Sequence, residues 1–123
     1  MLSKARRIQK SFFKKILVEG KRYNSVSLLL YLSLNDKRES PTKFSFSVSK
    51  KVLKGAVNRN LYRRRGYSII GRNIKNIKSG YLCFFSFKKG SNKLTFNFLE
   101  KEVLNLLNLS GVLDFELRNS YSS

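Results

Sequence analysis

Residues 44 to 65 read Phe44-Ser45-Phe46-Ser47-Val48-Ser49-Lys50-Lys51-Val52-Leu53-Lys54-Gly55-Ala56-Val57-Asn58-Arg59-Asn60-Leu61-Tyr62-Arg63-Arg64-Arg65. The first part alternates. Phe44, Phe46 and Val48 stand against Ser45, Ser47 and Ser49, which predicts a half-buried strand with one apolar face and one face of small hydroxyls. The period then changes, and residues 54 to 70 read as a basic helix. At about 100° per residue, Ala56, Arg59, Asn60, Arg63 and Arg64 share an arc of roughly 140°. Val57 and Leu61 lie beside that arc, available to a sheet. Arg forks match phosphate oxygens in bidentate fashion, and Asn can bond a phosphate, a 2′-hydroxyl or a neighbouring Arg.

Working outward toward the N-terminus, Val26, Leu28, Leu30, Leu32 and Leu34 alternate with Leu29 and Tyr31, the pattern of a strand covered on both faces. A turn follows at 35 to 41, and a short pairing segment near Lys21 to Asn24 precedes the strand. Residues 3 to 18 carry Ile8, Phe12, Phe13, Ile16 and Leu17 at near-helical spacing, so they predict an amphipathic helix ending before Gly20. Toward the C-terminus, Gly80 leads into a strand, Tyr81 to Phe87. Thr95 is placed to cap a last helix reaching about Leu109, with Leu99, Val103, Leu106 and Leu107 as its buried stripe and Ser110-Gly111 as its end. The order helix, three strands, helix, strand, helix, with one β-α-β crossover, indicates an α+β two-layer sandwich. We expect one domain over 1 to 112 and a C-terminal tail over 113 to 123.

The 123 residues carry 26 Lys plus Arg against 7 Asp plus Glu and no His, a net charge of +19. No carboxylate lies between Ser40 and Leu99, where fourteen of the basic residues fall, and eight more lie in the first 22 residues. A surface so one-signed repels itself and calls for a polyanion, of which nucleic acid is the leading candidate. An anionic membrane would want the cations around one apolar helical stripe, whereas here they recur on several elements. A merely solvated basic face is the bland alternative. With no His and one Cys, zinc-finger spacing, Cys-His or Ser-His catalytic pairs and a disulfide framework are excluded. Cys83, inside an apolar strand, reads as a small buried residue in a reducing compartment. No apolar run reaches the roughly 18 to 20 residues of a membrane span, and no secretory apolar region follows the basic start, so a cytoplasmic location is expected.

The strand ending in Ser47-Val48-Ser49-Lys50-Lys51 and the helix reading Ala56-Val57-Asn58-Arg59-Asn60-Leu61-Tyr62-Arg63-Arg64 together resemble the signature of the bacterial ribonuclease P protein subunit family. The resemblance extends to Phe13 ahead of Gly20, to Tyr31 in its Leu-rich strand, to the Gly80-Tyr81 strand start and to the closing helix around Leu99 to Leu104. There are departures. Leu61 stands where the family has a second Arg, the connection Val52 to Ala56 is one residue longer than usual, and Gly66-Tyr67 replaces a typical Leu-Arg. A Gly inside a helix costs about 1 kcal/mol relative to Ala, so a kink or early end is expected at Gly66.

The resemblance implies a fold similar to domain 2 of ribosomal protein S5, with a left-handed β-α-β crossover. It implies two partners: the ribonuclease P RNA, and the 5′ leader of precursor tRNA that the ribonucleoprotein removes. No membrane or further protein partner is required. The hydrolysis is metal-assisted, at Mg²⁺ held mainly by the RNA, which makes this chain the non-catalytic component of an endonuclease. Lys50, Lys51, Lys54, Arg59, Asn60, Arg63 and Arg64 would dock on the RNA. Phe13, Leu17 and Tyr31 match leader-contacting positions, and Ser49 would add a hydroxyl. The ordinary alternative for an aromatic on a strand is core packing. A ribosomal or general RNA-binding protein of the same sandwich fold is the competing function, and a stand-alone protein nuclease a third.

Overall fold

The computed structural model describes residues 3–90 and 94–114. Two 3-10 turns, Lys4–Arg6 and Lys10–Phe12, lead into α1 (Phe13–Glu19). Then come β1 (Lys21–Asn24), β2 (Leu28–Leu34), β3 (Lys43–Ser47), α2 (Ala56–Arg72), a third 3-10 turn at Ile74–Asn76, β4 (Tyr81–Phe87) and α3 (Phe96–Leu109). The strands form one sheet in the order β1-β2-β4-β3. β1 and β4 run antiparallel to β2, while β3 and β4 are parallel neighbours joined through α2. This is the α+β sandwich expected from the order of elements.

The core explains the strand sequences. Leu28, Leu30, Phe44, Phe46, Cys83, Phe85 and Phe87 project from one sheet face to meet Tyr62, Ile69 and Ile70 of α2 and Leu99, Val103, Leu106 and Leu107 of α3. Alternate β4 residues Leu82 and Phe84 turn to the other face, where Ile8 and Ile16 bury with them. β4 is therefore covered on both sides, which is why it reads as a nearly continuous apolar run. Thr95 caps α3, its hydroxyl accepting the Phe98 N–H at 3.3 Å. Val112 and Leu113 are buried beyond α3, and Leu113 pairs with Ile77. Leu113, placed in the tail by the sequence reading, thus sits in the core, and residues 115–123 of that tail lie outside the described residues.

Four local expectations are corrected. The long first helix is a seven-residue α1, because Arg7 pairs in parallel with Phe44 and Ile8 donates its N–H to the Phe44 carbonyl at 3.0 Å. Pairing at the open edge of β3 holds Arg7 extended (φ −98°, ψ 142°) and overrides the helical spacing. Ser45 is buried, so the hydroxyl side of β3 is not uniformly open to solvent. Val26 precedes β2 and is 89% exposed, in the turn where Ser25 N–H bonds the Leu28 carbonyl. Finally, α2 runs unbroken through Gly66 and turns Tyr62, Gly66, Ile69 and Ile70 to the core, leaving Val57 79% exposed and Leu61 half-buried.

Candidate nucleic-acid interface

Gly55 stands directly before α2 with φ +89°, a backbone conformation costly for any residue with a Cβ. The turn ahead of it is closed by the Ser49 carbonyl, which accepts the N–H groups of Val52 and Leu53, both at 3.1 Å. Arg59 ties this turn to the helix, donating from Nη1 to the Leu53 carbonyl at 3.0 Å. One turn on, Arg63 donates to Asn60 Oδ1. The sequence-derived arc therefore divides. Arg59 lies over the core-facing side, half-buried and partly committed to its own loop, whereas Asn60 and Arg64 are exposed and Arg63 is half-exposed on the outer flank. Lys50, Lys51 and Lys54 are exposed on the loop, and Lys51 and Lys54 line a groove of about 500 Å³ with Asn58 and Tyr62. No ion pair among the described residues involves positions 50 to 65. Among the described residues no carboxylate pairs with these cations, an arrangement that favours an external polyanion.

The second surface lies on the sheet face opposite α2 and α3. The register places Arg22, Tyr31, Phe84 and Ser45 in one row across β1, β2, β4 and β3, all on that face. Phe13 of α1 packs edge-on against Phe84 with centroids 5.2 Å apart, and Tyr31 does the same from the strand at 5.9 Å. Leu17, one helical turn beyond Phe13, is 43% exposed. Phe13 and Tyr31 thus meet around one ring, that of Phe84. Ser49 is exposed just past β3 and is not among the hydrophobic residues clustered there. Sequence reasoning passed over Arg22, whose guanidinium carbon lies 5.6 Å from the Tyr31 ring centroid. The signal was present as a cation at the cross-strand partner of Tyr31, but only the register reveals that pairing. An aromatic floor with a cationic rim can stack unpaired bases and hold their phosphates.

The family model described as Ribonuclease P matches residues 2–110. The ribonuclease P protein component of Clostridium novyi is 31% identical over 114 residues, covering 90% of this chain and 98% of that protein. The chain belongs to the ribonuclease P protein family. The component from Clostridioides difficile is 34% identical over 98 residues, covering 79% of this chain and 83% of that one. Among solved structures, the ribonuclease P protein of Staphylococcus aureus superposes with a TM-score of 0.79 at 21% identity, over 90% of this chain and all of that one. The protein from Thermotoga maritima gives 0.74 at 23% identity, over 82% and 94%.

As a ribonuclease P protein, the chain is the protein component of the ribonucleoprotein nuclease that processes tRNA 5′ ends. These likenesses favour that role over a general or ribosomal RNA-binding protein. Among the described residues no three of His, Cys, Asp and Glu come together to hold a metal ion. No helix among the described residues is long and apolar enough to cross a membrane.

Proposed function

We propose that this protein docks on the ribonuclease P RNA through α2 and the loop before it, and receives the 5′ leader of precursor tRNA in the cleft beneath α1. The observation that carries the reading is the placement of an acid-free cationic helix and an aromatic cluster on opposite faces of one sheet. Two surfaces so separated can engage two RNA segments at once. On the docking side, Asn60, Arg63 and Arg64 contact backbone phosphates, with Lys50, Lys51 and Lys54 extending the positive field and Arg59 shaping the loop that carries them. On the leader side, Phe13 and Tyr31 offer π faces to unpaired nucleotides, Leu17 adds apolar contact, and Ser49 marks the strand end nearest the docking loop. The RNA holds the Mg²⁺ ions and performs the phosphodiester hydrolysis, a reading supported by a docking loop and helix that carry no carboxylate from Val48 to Arg72. It acts in the cytoplasm and needs no other protein.

The test incubates precursor tRNA and Mg²⁺ with protein alone, RNA subunit alone at low salt, and both. Cleavage only where the RNA is present, improved by the protein, is the expected result. Cleavage by the protein alone, or an RNA reaction indifferent to it, overturns the proposal.

A further inference from the structure

Arg7 belongs by sequence to a basic N-terminal run with no evident link to α2. The structure places it elsewhere. Its backbone pairs with Phe44 on the outer edge of β3, and its guanidinium carbon lies 5.3 Å from the centroid of the Tyr67 ring. Tyr67 in turn is fixed by the core, its ring edge-on to buried Phe46 at 5.2 Å. Tyr67 follows Arg63 by four residues and Arg64 by three, so all three share one flank of α2. The result is an open groove of about 550 Å³ whose described lining residues are Arg7, Val57, Asn60, Arg63, Arg64 and Tyr67, which bring three guanidinium groups from two chain segments together.

We infer that this groove is a clamp for the ribose-phosphate backbone of the RNA subunit, and that Arg7 is one of its phosphate ligands. The inference rests on the docking role of α2 and deepens it by adding a residue from outside the helix. The chemistry is specific to Arg. A planar guanidinium can lie over an aromatic face and still direct its in-plane N–H groups at phosphate oxygens, whereas a Lys ammonium is a compact point charge on a flexible stem. Edge pairing of the backbone at Arg7 and the ring of Tyr67 hold the side chain in position before RNA arrives, which reduces the ordering cost of binding.

The test measures affinity of the full chain for its ribonuclease P RNA across a salt series, for Arg7→Ala, Arg7→Lys and, as reference, Arg63→Ala. Arg7→Ala is expected to bind about 10-fold more weakly at low salt, the lower end for a charge-assisted hydrogen bond. Its log-log salt slope should be shallower by about 0.7 to 0.9, the loss of one neutralised phosphate. Arg7→Lys should keep the slope but recover only part of the affinity. If Arg63→Ala weakens binding while Arg7→Ala leaves affinity and slope at wild-type values, the clamp is wrong and α2 docking stands. A drop in affinity for Arg7→Ala with an unchanged slope also overturns the clamp, since it marks a folding defect. If neither Arg matters, the docking reading itself fails.

Discussion

Gly66 lies against the face of Phe46: a Cβ added at Gly66 would sit 2.5 Å from Phe46 Cδ1. The ring has nowhere to go, being stacked on Phe85 at 4.8 Å and flanked by Tyr67. Gly66→Ala should gain about 1 kcal/mol of helix propensity and lose more to overpacking, which typically costs about 1 to 3 kcal/mol. The expected outcome is net destabilisation in urea unfolding. A variant more stable than wild type would show that the helix can move away from β3.

Arg59 and Arg63 are four residues apart on a helix yet hold different obligations, so their alanine variants should separate. Arg59→Ala removes the donor to the Leu53 carbonyl and should cost about 1 kcal/mol of stability as well as RNA affinity. Arg63→Ala gives up only an exposed bond to Asn60, worth a few tenths of a kcal/mol, approximately the level of other surface pairs. It should lose RNA affinity with an unchanged melting curve. Equal melting losses in both would contradict the division of the arc described above.

Tyr31→Ala is expected to weaken holoenzyme binding of leader-bearing precursor tRNA by about 5- to 100-fold, the range for one stacked base, and to leave mature tRNA binding unchanged. Tyr31→Phe keeps the ring against Phe84 and should bind both as wild type does. Equal losses for the two RNAs in the alanine variant would assign Tyr31 to folding alone.

Cys83 is fully buried on the central strand, and desolvation pushes its thiol far above the ordinary value of 9.0. The thiolate is the reactive form, so native protein should resist thiol reagents and react fully once unfolded. The sign of the pH effect follows from the raised value. Below pH 9.0 both states keep the proton and stability is intact; above it the unfolded chain ionises first and stability falls as pH rises. Rapid native labelling at neutral pH would be incompatible with this packing.

Much of the molecule was legible locally. The bounds of β4 and α3 coincide with the expected ones because each is written in adjacent residues: a nearly continuous apolar run, a Thr95 cap, a Leu99-Val103-Leu106-Leu107 stripe and a closing Gly111. The inner face of α2 was harder to read. A flank carrying Val57 and Leu61 looks more apolar than one carrying Arg59, Tyr62 and Gly66, yet the second is buried because Tyr62 packs on Phe87 and Gly66 admits Phe46.

The sequence by itself determined the cationic character of the protein, the order of its elements and the family it belongs to, since charge, period and motif are properties of residues near one another in the chain. Only the tertiary structure decided which cations work together. Edge pairing with Phe44 takes Arg7 out of a helix and delivers it to Tyr67, and strand register sets Arg22 beside Tyr31. These are contacts between residues far apart in the chain, made by hydrogen bonding along strand edges and by rings fitting available space, and no local pattern encodes them.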